Sequence, residues 1–351
     1  MSDLKLLYAE DNEVDRAGLQ VSIQRFSKQN NVEIQLETAV DLDKALEALD
    51  NSFDGCIVDM NLDGDPQAGN QVLNRIRDGN IRIPIAILTG TPDAVGDKTA
   101  NIQVYKKGEA EHDEILNRFQ SIHNSGITRV MGGRGKVEEL LNRVYHENIL
   151  SQENAWISYG ASNVEKTEKS LLRHTLNHLI HIVDLDEELC FPEEFYITPP
   201  MDKLLRTGCV CLRKEDKAPF VVLTPLCDLT VRANGKSKAN NIIVAGLDTD
   251  DDVIARKEKL KGQELNAKSK CDLRLKLKKN NAGENFHYLP KTDAFAGGNL
   301  NFELITSVPK IEFNDLYDDP MHQISPSFLK DIVSRFSSYL GRQGQPEIGS
   351  E

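Results

Sequence analysis

The chain has 351 residues, 39% hydrophobic and 28% charged, an ordinary globular composition with room for two domains at roughly 100–200 residues each. No apolar run approaches the ~20 residues of a membrane helix, and residues 1–5 lack the charged-then-apolar start of a secretory signal, so the cytoplasm is the expected compartment. The formal net charge is −13, and residues 1–124 hold 12 Lys/Arg against 22 Asp/Glu, which excludes a basic nucleic-acid footprint from the first third.

Residues 4–9 form an apolar run closed by Glu10 and Asp11, the first predicted strand. Asn12 is placed to cap a helix over 13–27, with Val14, Leu19, Val21, Ile23 and Phe26 as its apolar positions. Val32, Ile34 and Leu36 alternate with Glu33, Gln35 and Glu37, which predicts a half-exposed second strand. Asp41 caps a helix through Leu42, Ala45, Leu46 and Leu49. Cys56, Ile57 and Val58 then run continuously apolar up to Asp59, as in a central parallel strand covered on both faces. Val72, Leu73 and Ile76 mark the next helix, and residues 84–88 a fourth strand ending at Thr89 and Gly90. Residues 91–97 leave room for a helix of a turn or two at most. Ile102, Val104 and Tyr105 make a fifth strand that ends at Lys106, Lys107 and Gly108, and Ile115, Leu116, Phe119 and Ile122 mark a closing helix.

Five strand–helix alternations imply an α/β domain, a parallel sheet with helices on both faces. Chemistry in such a sheet sits beyond the carboxyl ends of the strands, where Glu10, Asp11, Asp59, Thr89 and the lysine pair converge. Three carboxylates held together repel unless a cation sits among them. Oxygen donors of this kind suit Mg²⁺, which keeps several waters and takes one or two carboxylates plus a phosphate. A hydroxyl and an ammonium opposite would supply hydrogen bonds and charge to a transferred phosphoryl group.

In order and spacing, these residues of 1–123 resemble the receiver domain of two-component response regulators. The resemblance implies a flavodoxin-like (βα)5 fold with Asp59 as phosphoacceptor, fed by a histidine kinase or a histidine phosphotransfer protein. It implies Mg²⁺ held by Glu10, Asp11, Asp59 and the backbone carbonyl of Asn61. It also implies that the Thr89 hydroxyl swings onto the phosphoryl group and that a lysine pairs with a phosphoryl oxygen. Water would hydrolyse the acyl phosphate and reset the domain, approaching between Asn61 and Thr91. Two departures stand out. The family's Lys-Pro after the fifth strand is Lys106-Lys107-Gly108 here. Lys107 shares a strand face with Tyr105 and is the residue chosen, with Lys106 as the alternative, since alternation points one of the two at Asp59. The second departure is the shrunken helix between the fourth and fifth strands, part of the region that usually relays phosphorylation.

Residues 124–185 read as a helical connector. Val137, Leu140, Leu141, Val144, Tyr145 and Ile149 fall at helical spacing, and Val164–Val183 is a long helix with Leu171, Leu172, Leu176, Leu179, Ile180 and Val183 as apolar positions. The Gly-rich stretch 131–136 lacks the Gly-x4-Gly-Lys-Ser/Thr pattern and reads as a hinge. His174, His178 and His181 share a helix face and read as a solvated or interfacial stripe, ahead of a metal cluster or a phosphoaccepting histidine. A helical pair after a receiver often dimerises in that family, so a homodimer is a further expectation of the resemblance.

Residues 186–351 read as a mixed, strand-rich α+β domain of unidentified activity. Strands are predicted over 208–213, 219–224, 241–246, 286–290 and 302–307, and over the alternating Leu273, Leu275 and Leu277, with a terminal helix over 326–339 and a polar tail beyond. A small barrel or curled sheet with helical additions would accommodate them. Gly208, the hairpin and the Val-Val-Leu-Thr strand resemble the small barrels of PemK/MazF-like toxins, which cleave RNA, without a matching catalytic set. Cys209, Cys211, Cys227 and His287 have zinc-ligating chemistry but not turn-like ligand spacing, so the strand thiols read as core residues. Residues 256–279 hold ten Lys/Arg against three Asp/Glu and read first as a solvated face. Three outputs follow for this domain: a binding module under phosphorylation control, an effector nuclease, or no output at all. In the last case the receiver is a phosphate sink within a multi-receiver phosphorelay, such as a defence system uses. Nucleic-acid binding is not expected, and no helix-turn-helix signature occurs.

Overall fold

The structure, a computed structural model, describes residues 3–95, 102–133, 135–183, 189–232 and 235–342. The chain divides into two compact units, Met1–Glu187 and Glu188–Glu351.

The first unit opens with β1 (Asp3–Ala9), α1 (Glu13–Asn30), β2 (Glu33–Ala39), α2 (Leu42–Ala48), β3 (Gly55–Val58), α3 (Ala68–Asp78), β4 (Ile85–Thr89), β5 (Gln103–Lys106) and α4 (His112–Ser125). The strands form a parallel sheet in the order β2-β1-β3-β4-β5, the doubly wound flavodoxin-like order. Alternation along β1 builds a core on each face. Leu4, Leu6 and Tyr8 pack with Leu19, Ile23 and Phe26 of α1 and Ile115 and Phe119 of α4. Leu7 and Ala9 turn the other way, onto Ala45, Ala68, Val72 and Ile76. Asn12 caps α1 as expected, its Oδ1 accepting from the Val14 amide at 2.8 Å. Val14 and Val21 depart from expectation and face solvent. Leu19, Ile23 and Phe26, at i, i+4 and i+7, define the core face instead. Between β4 and β5 the described residues hold a single 3₁₀ turn, Pro92–Ala94; Gly96 and Asp97 lie outside them.

The connector continues as α5 (Ile127–Met131) and α6 (Lys136–Val144), a π turn (Tyr145–Ile149), a 3₁₀ turn (Leu150–Gln152), α7 (Glu153–Ser162) and α8 (Val164–Val183). Its first part is docked on the loops that precede the sheet strands. The Gly133 amide donates to Asn51 O at 3.0 Å, Arg82 Nε donates to Met131 O at 2.6 Å, and the Arg82 guanidinium also pairs with Glu138. A Cβ on Gly133 would lie 2.2 Å from Asn51 Cβ. The glycine expected in a hinge is thus needed for close packing; its neighbour Arg134 lies outside the described residues. Beyond this, α8 folds back along α7 and α6 as a helical hairpin.

The second unit comprises β6 (Tyr196–Ile197), β7 (Cys209–Leu212), β8 (Pro219–Val222), α9 (Leu226–Leu229), β9 (Asn241–Asp248), α10 (Asp250–Lys261), α11 (Ala267–Lys278), β10 (Phe286–Leu289), β11 (Gly298–Pro309), α12 (Lys310–Leu316), β12 (His322–Ile324) and α13 (Pro326–Leu340). Its strands make an antiparallel sheet in the order β10-β11-β9-β8-β7-β12-β6, strand-rich as expected but open at β10 and β6 rather than closed into a barrel. Val210, Val221, Ala245 and Leu300 pack under Ile332 and Phe336 of α13. Cys209, Cys211, Phe220 and Val244 pack on the opposite face with Phe313 and Tyr317. The stretch around Leu273, Leu275 and Leu277 is helical, not a strand. Leu273 and Leu277 are buried at i, i+4 while Leu275 is exposed, so α11 uses the helical period and not the period of two that the alternation suggested. The basic segment 256–279 therefore runs along α10 and α11, with Arg256, Lys270 and Arg274 already paired to Asp248, Glu258 and Asp251. Cys227 is exposed on α9 and His287 pairs with Asp331 on α13 at 3.1 Å. The tail 343–351 lies outside the described residues.

Candidate functional site

The carboxyl ends of β1, β3 and β5 each hand over to a charged residue whose own amide extends the sheet ladder. Glu10 N donates to Ala39 O at 2.9 Å, Asp59 N to Ala9 O at 2.9 Å and Lys107 N to Thr89 O at 2.9 Å. These bonds fix where each side chain starts, so the site is set by the sheet rather than by flexible loops. Behind Asp59, the first turn of α3 comes so close that the Gly69 amide donates to Met60 O at 3.1 Å. A Cβ on Gly69 would sit 2.5 Å from Met60 Cα and 2.8 Å from Asp59 O.

Lys107 Nζ is the hub. It donates to Glu10 Oε2 at 2.6 Å, Asp59 Oδ2 at 2.8 Å and Asp15 Oδ2 at 2.8 Å. Lys106 points away and pairs with Glu109 on the surface. Glu10 and Asp59 are buried, whereas Asp11 is exposed, and its Oδ2 accepts from the Asp63 amide at 2.9 Å. One carboxylate oxygen from each of Glu10, Asp11 and Asp59 lies within 4.8 Å of the others. Asp59 Oδ1 is met by the Asn61 amide at a long 3.3 Å. Thr89 is fully buried at the end of β4, its Oγ1 accepting from the Thr91 amide at 3.2 Å.

Two participants have no counterpart in the sequence reading. Tyr8 OH donates to Glu10 Oε2 at 2.9 Å, and Asp15 shares Lys107. Tyr8 was findable, because residues i and i+2 of a strand face the same side. Asp15 was not, because its reach to Lys107 depends on how α1 packs. Glu10 is well braced: Oε2 takes Tyr8 and Lys107, and Oε1 takes the Asn12 amide at 3.1 Å. Its carboxyl is held above the usual range because burial disfavours the charge more than Lys107 and the Asn12 amide restore it. Burial also works against the Lys107 ammonium, yet the hydrogen bonds it donates to Asp15, Asp59 and Glu10 outweigh it and raise its pKa.

The donor set fits a hard divalent cation. All groups are oxygens, and their negative charge exceeds what one ammonium neutralises. Glu10 keeps roughly one of its four lone-pair positions free, while Asp11 and Asp59 have more to offer.

No family model and no curated protein matches the chain. Solved structures do match over about a third of it. A CheY-like response regulator receiver domain from Methylobacillus flagellatus is 17% identical, covering 34% of this chain and 99% of that one at a TM-score of 0.28. A response regulator receiver protein from Pseudoalteromonas atlantica is 13% identical, covering 35% and 98% at a TM-score of 0.28. The receiver domain of the PhyR response regulator from Erythrobacter litoralis is 20% identical, covering 35% and 92% at a TM-score of 0.28. Among the described residues no helix is long and apolar enough to cross a membrane.

Proposed function

We propose that the first unit is a phosphoacceptor: Asp59 takes a phosphoryl group from a phosphohistidine of a histidine kinase or phosphotransfer protein, in a Mg²⁺-dependent step. The observation that carries this reading is the convergence of Lys107, Glu10 and Asp59 through bonds of 2.6 and 2.8 Å, with Asp11 completing an oxygen cluster. In the transfer the donor's P–N bond breaks and a P–O bond to an Asp59 carboxylate oxygen forms. Oδ2 is committed to Lys107, so Oδ1, with its single long bond from Asn61, is the oxygen assigned to attack. Glu10, Asp11, Asp59 and the Asn61 carbonyl would hold Mg²⁺, whose charge would offset that of the phosphoryl oxygens. Lys107 follows the charge as it moves from carboxylate to phosphoryl oxygen, and the Thr89 hydroxyl donates to a second oxygen. Tyr8 and Asp15 keep Glu10 and Lys107 in position. The test is chemical trapping. After incubation with acetyl phosphate and Mg²⁺, borohydride should reduce an acyl phosphate in the peptide containing Asp59; a label elsewhere, or none, rejects the assignment.

A second reading concerns output. The sequence of the link between β4 and β5 is interrupted by Pro92 and Gly96, which disfavours a long helix there for phosphorylation to move. That favours a receiver that drains phosphoryl groups from a shared kinase. Asp59→Asn should then raise phosphorylation of a competing receiver; an unchanged competitor rejects the sink.

A further inference from the structure

The hairpin of α7 and α8 brings two imidazoles together nitrogen to nitrogen. Asn163 Oδ1 accepts from the Lys166 amide at 2.9 Å and its carbonyl from the Thr167 amide at 3.1 Å, which fixes where α8 starts and so its register. His174 and His178 then fall one turn apart on a single flank, both half-buried where α8 folds back along α7. The Trp156 ring of α7 lies 5.4 Å from the His174 ring, and the His174 and His178 rings meet edge to face at 4.5 Å. Their Nε2 atoms are 3.2 Å apart. As a hydrogen-bonded pair, one of these nitrogens holds the hydrogen and the other a lone pair.

We propose that His174 and His178 form a chelate for a transition-metal ion of the Zn²⁺, Ni²⁺ and Co²⁺ class. The separation of the nitrogens is the first support. Two metal–nitrogen bonds of about 2.0–2.1 Å whose nitrogens lie 3.2 Å apart meet at about 100°, near the tetrahedral angle. The shared hydrogen gives way by shifting to Nδ1 of its own ring. Rotation about χ2, a soft torsion in histidine, then turns both lone pairs onto the ion. Packing is the second support. Both side chains are already held between the helices, so binding costs little further side-chain freedom. Donor chemistry selects the ion. A pair of imidazoles suits borderline metals, whereas Mg²⁺ demands oxygens, so this pair and the cluster of Glu10, Asp11 and Asp59 would sort different cations. His181, the next histidine along α8, is exposed. Among the described residues no third His, Cys, Asp or Glu joins the pair within 4.8 Å, and water completes the shell. An ion held at i and i+4 staples one turn of a helix that contains no buried residue.

Trp156 is the chain's single tryptophan, and its ring contact with His174 makes its emission a reporter of the site. Ni²⁺, which quenches indole emission at short range, is titrated into the full chain in the presence of millimolar Mg²⁺. Wild type should lose most of its emission saturably at micromolar Ni²⁺. Zn²⁺, which lacks that quenching, should compete and restore it, a readout that needs no variant. His178→Ala leaves the contact of Trp156 with His174 in place and should need more than about tenfold higher Ni²⁺. His181→Ala should titrate as wild type, and far-UV circular dichroism shows that the helix persists in both variants. Emission that Ni²⁺ leaves unchanged, or that Zn²⁺ fails to restore, overturns the proposal. So does a His178→Ala protein quenched at the wild-type concentration, or a His181→Ala protein weakened as much as His178→Ala.

Discussion

Three side chains decide the site, and the structure separates one pair that sequence left open. Lys106 and Lys107 are chemically identical neighbours, yet Lys107 alone reaches Asp59. Removing it strands Glu10, Asp15 and Asp59 without their shared cation. Lys107→Ala should therefore lose about 1–3 kcal/mol of stability after allowance for solvent screening, and Mg²⁺ should recover part of it by binding the folded state. Lys106→Ala should stay within about 0.5 kcal/mol of wild type. Urea denaturation with and without Mg²⁺ measures both; equal effects of the two substitutions would contradict the geometry. A separate residue-scale consequence concerns His287 and His322, both buried with one ring nitrogen unpartnered. Burial holds both below the ordinary 6.5. The unfolded chain then binds more protons than the folded one, so their contribution is intact above pH 6.5 and is lost as pH falls below it. The urea midpoint should drop between about pH 7.5 and about pH 5.5, and His287→Gln with His322→Gln should flatten that drop. His112, likewise lowered by burial, accounts for a remainder.

At the scale of elements, what sequence reveals depends on whether one period dominates. β1, β3 and β4 were legible because each is a short apolar run ending on a polar group, and β2 because its apolar residues alternate with polar ones. The placement of Glu10, Asp11, Asp59 and Thr89 at the carboxyl ends of the strands could be read for the same reason. Asp15 and the docking of Gly133 on Asn51 could not, since both depend on tertiary packing. The sharpest failure is α11, where Leu273-x-Leu275-x-Leu277 satisfies a period of two and, through its first and last leucines, a helical i, i+4 pair. Leu277→Ala should cost about 2–5 kcal/mol and Leu275→Ala under about 0.5; on a strand with one buried face the two would behave alike. Gly69→Ala addresses the approach of α3 to β3. With backbone atoms 2.5 and 2.8 Å from the added carbon, it should destabilise by about 1–3 kcal/mol and slow modification of Asp59. Thermal unfolding combined with a phosphorylation time course checks it, and a neutral result would mean α3 can move away freely.

The whole molecule joins an acidic α/β unit to an antiparallel-sheet unit, with most of the net −13 in the first 124 residues. On the proposed reading, acidity concentrated where Asp59 lies would suit a donor that brings a basic surface, and would make a divalent cation a condition of bringing in a phosphoryl group of the same charge. Intact mass after incubation with acetyl phosphate and Mg²⁺ probes that condition. Wild type should gain about 80 Da, and the gain should vanish with Asp59→Asn or on chelating the metal. A wild-type mass that stays unchanged, or an Asp59→Asn protein that gains the same increment, would contradict the assignment of Asp59 as the acceptor.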